Sequence, residues 1–168
     1  VHMEEKISFR KAEKKDSALI LTFIKAIAEY EKMSDQVLND ESKIKSLLFD
    51  KKVAEVIFLL LNDKEIGFAL YFYNYSTFVG KTTLYLEDLF IYEKYRHCGY
   101  GKLLFNELIN IAVVNDCGRM EWTCLNWNKT SIKFYKSLGS VPMNEWTTYR
   151  LDNKTLIALN KENKKGSF

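Results

Sequence analysis

Arg96, Gly99 and Gly101 stand as R-x-x-G-x-G between an apolar β-type run and a helix-like run, and Glu87 and Asp88 lie side by side within the β-type run. Glycines at such a handover permit turn dihedrals and close backbone approach, and the first amides of a helix are unpaired donors at its positive end. The turn therefore suits a pyrophosphate, with Arg96 and Lys102 adding charge-assisted contacts. It equally suits a tight connection that binds nothing. Two nucleotide fingerprints fail: a dinucleotide loop needs a third glycine where Leu104 stands, and a Walker loop needs Ser or Thr where Leu103 stands. Adjacent strand residues point to opposite faces, so one of Glu87 and Asp88 reaches a cleft while the other does not; edge solubility is the alternative reading.

Elimination narrows the chemistry further. Val1 and His2 precede a methionine and are read as a cloning remnant, which leaves His97 as the one native histidine. A His-rich metal site is excluded, and a nucleophilic triad would have to be built on His97. Cys98, Cys117 and Cys124 are odd in number without a CxxC spacing, so neither a disulfide framework nor a zinc site is expected, and a reducing cytoplasm fits. Carboxylate, tyrosine and backbone remain as the working groups, and no metal.

The elements that must position these groups follow from periodicity. Ile7 to Lys11 reads as a strand, and Asp16 starts a helix to about Met33. A second helix runs from the Asn39/Asp40 cap signal to about Phe49. Three β-type runs, from Ala54, Glu65 and Thr82, suggest an antiparallel meander, followed by a helix from about Gly99 to Asp116 and a strand from Arg119 to Leu125. Asn128 or Thr130 caps a short helix ending near Leu138, with Gly139 left-handed behind it. Strands near Ser140 to Met143 and Trp146 to Asp152 precede a helical end around Thr155 to Leu159. The fold class is mixed α/β (α+β), a mostly antiparallel sheet flanked by helices.

The 168 residues are 47% hydrophobic and 28% charged, which suits a single ordered domain over residues 3–168. A net charge of +3, with its basic excess in the tail, makes nucleic acid a poor partner. The longest aliphatic run, Val56 to Leu61, is far below the ~20 residues of a membrane span, and no signal peptide is read before Met3.

R-x-x-G-x-G after Y-L-E-D-L-F, followed by W-N-x-x-S-I-x-F-Y-K-x-L-G, resembles the GNAT acyl-CoA-dependent N-acetyltransferases. Within them the chain is most similar to the diamine (spermidine/spermine) and thialysine group, including at ISFRKAEKKD and AEYEKMSDQV. The resemblance implies a twisted sheet whose fourth and fifth strands splay to admit the pantetheine of acetyl-CoA. It places the amides of Leu89, Phe90 and Ile91 against the pantetheine. Arg96, with His97, Cys98, Gly99, Tyr100, Gly101 and Lys102, would hold the pyrophosphate, and Asn128 and Ser131 would touch the cofactor's other side. Tyr30 and Glu31 would line the amine site, to which Asp35 could add negative potential.

An amine of pKa ~10.4 is free base in about one molecule in several thousand at neutral pH, so attack on a thioester needs a base. The family pattern assigns that role to Glu87, which also accepts the cationic amine, and makes Tyr135 the proton donor to the departing CoA thiolate. In isolation Tyr135 reads as a core residue, since Ile132, Tyr135 and Leu138 recur at helical spacing. His97 and Cys98 occupy variable positions of the turn and are read as loop residues. The implied reaction acetylates a small cationic amine, diamine- or polyamine-like, by direct attack in a ternary complex, in a homodimer. A thialysine- or lysine-like amino acid, an aminoglycoside, a protein N-terminus, or a non-catalytic CoA-binding domain stand as alternatives. Near the C-terminus the group's acidic site residue is Thr147 and its tryptophan is Tyr149, before Arg150; Glu145 could compensate.

Overall fold

The computed structural model describes residues 4–166, so the remnant reading of Val1 and His2 lies outside the described residues. Contacts divide the chain into two units, one ending at Thr123 and one beginning at Cys124. The first unit contains strands β1 (Ile7–Lys11), β2 (Glu55–Leu61), β3 (Lys64–Ser76), β4 (Lys81–Ile91) and β5 (Arg119–Trp122). Its helices are α1 (Ser17–Tyr30), α2 (Glu41–Ile44, continuing as a π-helical stretch Lys45–Asp50) and α3 (Tyr100–Val114). The five strands pair in chain order, antiparallel from β1 to β4 and parallel between β4 and β5. The expected mixed, mostly antiparallel sheet is what the chain forms.

Local chemistry explains the boundaries. Asn62 and Asp63, both at positive φ, make the two-residue turn between β2 and β3 in which Asn and Asp tolerate left-handed backbone. Asp40 accepts the Lys43 N–H at 2.8 Å and starts α2. The expectation that α1 reaches Met33 is corrected: Lys32 adopts φ 59 and the Met33 N–H turns back to the Ala28 carbonyl at 2.8 Å, which closes the helix early.

Alternation sorts the sheet into two faces. Val56, Phe58, Leu60, Phe68 and Phe90 pack with Ile20 and Phe23 of α1 and Ile44 of α2. Phe23 is fully buried, its ring stacked at 4.9 Å on Phe68 and at 4.7 Å on Tyr92. Leu104, Phe105 and Leu108 of α3 are likewise buried.

The second unit holds α4 (Lys129–Ser137) and α5 (Asn153–Lys165). Asn128, not Thr130, caps α4 by accepting the Ser131 N–H at 3.2 Å, and Gly139 is left-handed at φ 83. Asp152 caps α5, which runs well past the expected Leu159. The strands expected over 140–143 and 146–152 are not formed, because a strand exists only with a ladder partner and none pairs with them among the described residues. β5 likewise stops at Trp122, short of Leu125.

One partly buried ionic cluster ties β1, β3 and the start of α1. Arg10 donates to both carboxylate oxygens of Asp16 (2.8 and 2.9 Å) and to Glu65 (2.8 Å), with its guanidinium carbon 4.8 Å from the centre of the Phe58 ring. Asp16 is 7% exposed, and the Arg10 hydrogen bonds hold it below the usual carboxylate range. Glu65 is lowered for the same reason. Arg10→Met strands a buried carboxylate and should cost about 2 kcal/mol at pH 7, below the 3–5 typical of buried pairs because Arg10 is partly solvated. Both folded-state pKa values lie below their unfolded values, so this stability is present above about pH 4 and lost as acid protonates the pair. Urea unfolding should therefore show the gap between parent and variant shrinking below about pH 4; a gap independent of pH contradicts the assignment.

Candidate functional site

β4 carries the site, and its geometry departs from a plain strand. Asp88 pairs with Leu70 and Leu86 pairs with Tyr71, so the register shifts and Glu87 stands opposite no residue. This is a β-bulge, a one-residue insertion that bends the strand and re-aims a side chain. The bulge overturns the expectation that Glu87 and Asp88 diverge to opposite faces. Instead Asp88 feels the charges of Glu87 and of Glu31, the residue that follows α1, and Glu31 feels that of Glu87. Asp88 is half-buried and pushed up to about 7, first by burial and then by the charges of Glu87 and Glu31. Glu31 is raised by burial and by Glu87. Acidic charge therefore accumulates at the bulge, where Glu31 and Asp88 both sit above their ordinary values. Strand alternation and the family pattern leave Asp88 as the acid that does not reach the cleft, because no pattern of residue types announces a bulge.

Beyond the bulge β4 loses its second neighbour. The β4–β5 ladder ends at Leu86↔Trp122, while β4 itself continues to Ile91. The Tyr92 N–H donates to the Ile66 carbonyl at 3.0 Å, which makes Tyr92, Phe90 and Asp88 the residues bonded to β3 in the antiparallel alternation. Leu89 and Ile91 therefore turn their peptide groups toward the side where β5 has ended. Phe90's peptide faces β3 and its ring lies in the core.

The turn after β4 supplies donors. Gly99, at φ 84, is the N-cap of α3, and the first helical bond is Leu103 N–H to the Gly99 carbonyl at 3.1 Å. The amides of Tyr100, Gly101 and Lys102 precede that bond and point out of the helix start. His97 is also left-handed, at φ 62, and is exposed with Cys98, whose thiol donates to the Arg96 carbonyl at 3.4 Å. Tyr100 is buried and its hydroxyl donates to Glu5 at 3.0 Å, anchoring the turn to the segment before β1. Gly99 needs to be glycine for its left-handed backbone, whereas Gly101 does not. A Cβ on Gly101 would meet only Ile91 Cγ1, at 4.0 Å. No packing within the chain demands glycine there; open space over a row of outward amides fits a phosphate group approaching the backbone.

Arg96 does not extend freely from the turn. Its Nε donates to the Ile91 carbonyl at 2.9 Å, and its guanidinium carbon lies 4.6 Å from the centre of the Tyr30 ring and 5.0 Å from that of Phe90. The structure thus gathers Tyr30, Glu31, Glu87, Asp88, Leu89, Ile91, Arg96 and the turn in the first unit. Tyr135, Asn128 and Ser131 belong to the second: Tyr135 is half-buried in α4 with its ring 5.6 Å from Phe134, and Asn128 spends a side-chain oxygen on the Ser131 amide. Thr147, Tyr149, Glu145 and Arg150 lie in the exposed irregular stretch before α5. Among the described residues no group of three or more metal-ligating side chains could hold a metal ion, and no helix is long and apolar enough to cross a membrane.

Comparison with known proteins agrees with this architecture. The chain is 30% identical over 165 residues to the thialysine N-epsilon-acetyltransferase of Bos taurus, covering 91% of this chain and 96% of that one. It is 41% identical over 104 residues to the L-ornithine N5-acetyltransferase NATA1 of Arabidopsis thaliana, a match over 61% of this chain but only 46% of the plant protein. An integron cassette protein from the mobile metagenome of V. cholerae superimposes with a TM-score of 0.76 at 28% identity, over 92% of this chain and 98% of that one. Residues 22–139 match the model of the acetyltransferase (GNAT) family, and the chain belongs to that family of enzymes.

Proposed function

We propose that the chain transfers the acetyl group of acetyl-CoA to a primary amine of a small cationic acceptor by direct attack in a ternary complex. The observation that carries this reading is the β4 bulge that sets Glu87 outside the ladder beside Asp88, next to the stretch where β4 loses β5; the charge of Glu31 also reaches Asp88. Glu31 and Asp88 are raised first by burial and then by neighbouring acidic charge, and a cation there offsets that charge, so the acids favour a diamine, a polyamine or the side-chain amine of an ornithine- or thialysine-like amino acid. The names of the plant and bovine relatives support the amino-acid members of that class.

Acetyl-CoA would be held by the outward peptide groups of Leu89, by the Ile91 N–H, whose carbonyl Arg96 already occupies, and by the amides of the 97–102 turn, with Lys102 adding positive charge and Arg96 contributing its charge from the α1 side. When bound it supplies an activated thioester. Glu87, displaced from the ladder by the bulge, takes the proton of the incoming ammonium, directly or through water. Tyr135 gives a proton to the departing thiolate. Asn128 and Ser131 complete the cofactor's second side, and residues 3–168 act as one domain in the cytoplasm, where the three free cysteines stay reduced.

Thiol release from acetyl-CoA, measured over diamines, polyamines, ornithine, thialysine and lysine, should reveal turnover on at least one of them. Glu87→Gln should lower kcat by about 10² or more. Turnover on peptide N-termini with none on free amines overturns the small-molecule reading.

Asp88 supplies a pH signature. Its folded pKa, about 7, lies above the unfolded carboxylate value, so the folded state binds the extra proton and loses stability as pH rises from about 4 to 7. Asp88→Asn should flatten that decline, and carboxyl NMR should show the Asp88 midpoint falling in Glu87→Gln. An unchanged midpoint means that Glu87 is not the neighbour that raises it.

Val141, Met143, Trp146, Tyr149 and Leu151 are exposed in the irregular stretch before α5, Tyr149 by 92%. A homodimer in which this stretch finds a strand partner satisfies both its apolar side chains and its backbone. Analytical ultracentrifugation should give twice the chain mass, and a single-chain mass at assay concentration rules the dimer out.

A further inference from the structure

Arg96 lies at the head of the turn read as the pyrophosphate site, yet its side chain runs backward, to the acceptor side. Nε is committed to the Ile91 carbonyl at 2.9 Å, on the side of β4 left without β5. The planar guanidinium then lies near two aromatic rings, Phe90 at 5.0 Å and Tyr30 at 4.6 Å. Phe90 is fixed in the α1 face of the core. Tyr30 is the last residue of α1, 39% exposed, and is followed directly by Glu31 of the carboxylate cluster. A hydrogen bond to a strand carbonyl and a ring contact at a helix end are directional constraints. Held together by one rigid fork, they tie the backbone at Ile91 to the place where α1 delivers Glu31.

We propose that Arg96 is a positioning residue that couples the two substrate sites, so that occupation of the β4 edge and turn by CoA orders the Tyr30–Glu31 end of α1 and tightens amine binding. The inference rests on the acetyltransferase reading above. Charge alone does not account for the geometry: a point charge on a flexible stem cannot bond a carbonyl through Nε while presenting a flat face to two rings. Coupling of this kind is reciprocal, because a residue restrained by one ligand lowers the ordering cost for the other.

The test is calorimetric titration of CoA and of the preferred amine, each alone and in the presence of the other, on the full chain. In the parent protein each ligand should tighten the other by about fivefold or more. Arg96→Lys, which keeps the charge, and Tyr30→Leu, at an exposed helix end, should each bring that factor close to one. The double variant should be no worse than either single one, and Tyr30→Phe should keep the coupling because it keeps the ring. If Arg96→Lys weakens CoA equally with and without amine while Tyr30→Leu leaves the coupling intact, Arg96 serves the cofactor alone and the proposal is overturned. Failure of the parent protein to bind CoA at all overturns the acetyltransferase reading itself, a result distinct from bound CoA without coupling.

Discussion

Everything in the site depends on the single unopposed residue in β4. A regular strand could offer the acceptor one carboxylate per face, with the next two residues away. By slipping the register between Leu70 and Tyr71, the sheet places Glu87 outside the ladder while Asp88 stays within it, opposite Leu70 on the α1 face. Asp88 then senses Glu31 at the end of α1, and Glu31 senses Glu87. The cost appears as a carboxyl pushed up to about 7, first by burial and then by its acidic neighbours. The same strand then outruns β5, so the bulge and the loss of a neighbour occur within a few residues. In the proposed acetyl transfer, acceptor chemistry and cofactor contacts then share one strand without competing for one set of peptide groups.

The turn beyond β4 requires glycine at one of its two glycine positions. Gly99 is required by its own backbone, whereas Gly101 has a conformation and surroundings that any small residue could share. The contrast separates a folding requirement from one set outside the chain. Tyr100 adds a restraint from the opposite direction, since its bond to Glu5 couples the turn to a segment 95 residues earlier. A turn anchored on both flanks keeps its amides aligned and loses less entropy when a ligand arrives.

How much of this was legible in the sequence divides by the range of the interaction. Strands β1 to β4, α3, α4 and the left-handed Gly139 were readable because their signals, alternation, caps and glycine, are local. The end of α1 was misplaced by three residues because Lys32 adopts a left-handed conformation that its residue type does not advertise. The strands expected over 140–152 failed for a different reason. Their alternating apolar residues are genuine, but a ladder partner is not a property of the segment. The bulge was invisible for the most general reason of all: a register slip belongs to the pairing of two strands, and neither L-E-D nor its partner carries a residue that must bulge.

Arg96 marks the limit of motif reading in this chain. The R-x-x-G-x-G pattern names a turn, and the turn is present, but the pattern is silent on where the arginine side chain goes. Two aromatic rings and a strand carbonyl determine that, and they come from α1 and β4, one of them 66 positions away in sequence. A guanidinium satisfies such mixed surroundings because its edge donates hydrogen bonds while its face accepts ring contact. The residue that the motif assigns to the turn thus also reaches the end of α1. An enzyme using a ternary complex needs a physical connection at that place, since the attacking nitrogen and the thioester must be positioned together rather than merely bound.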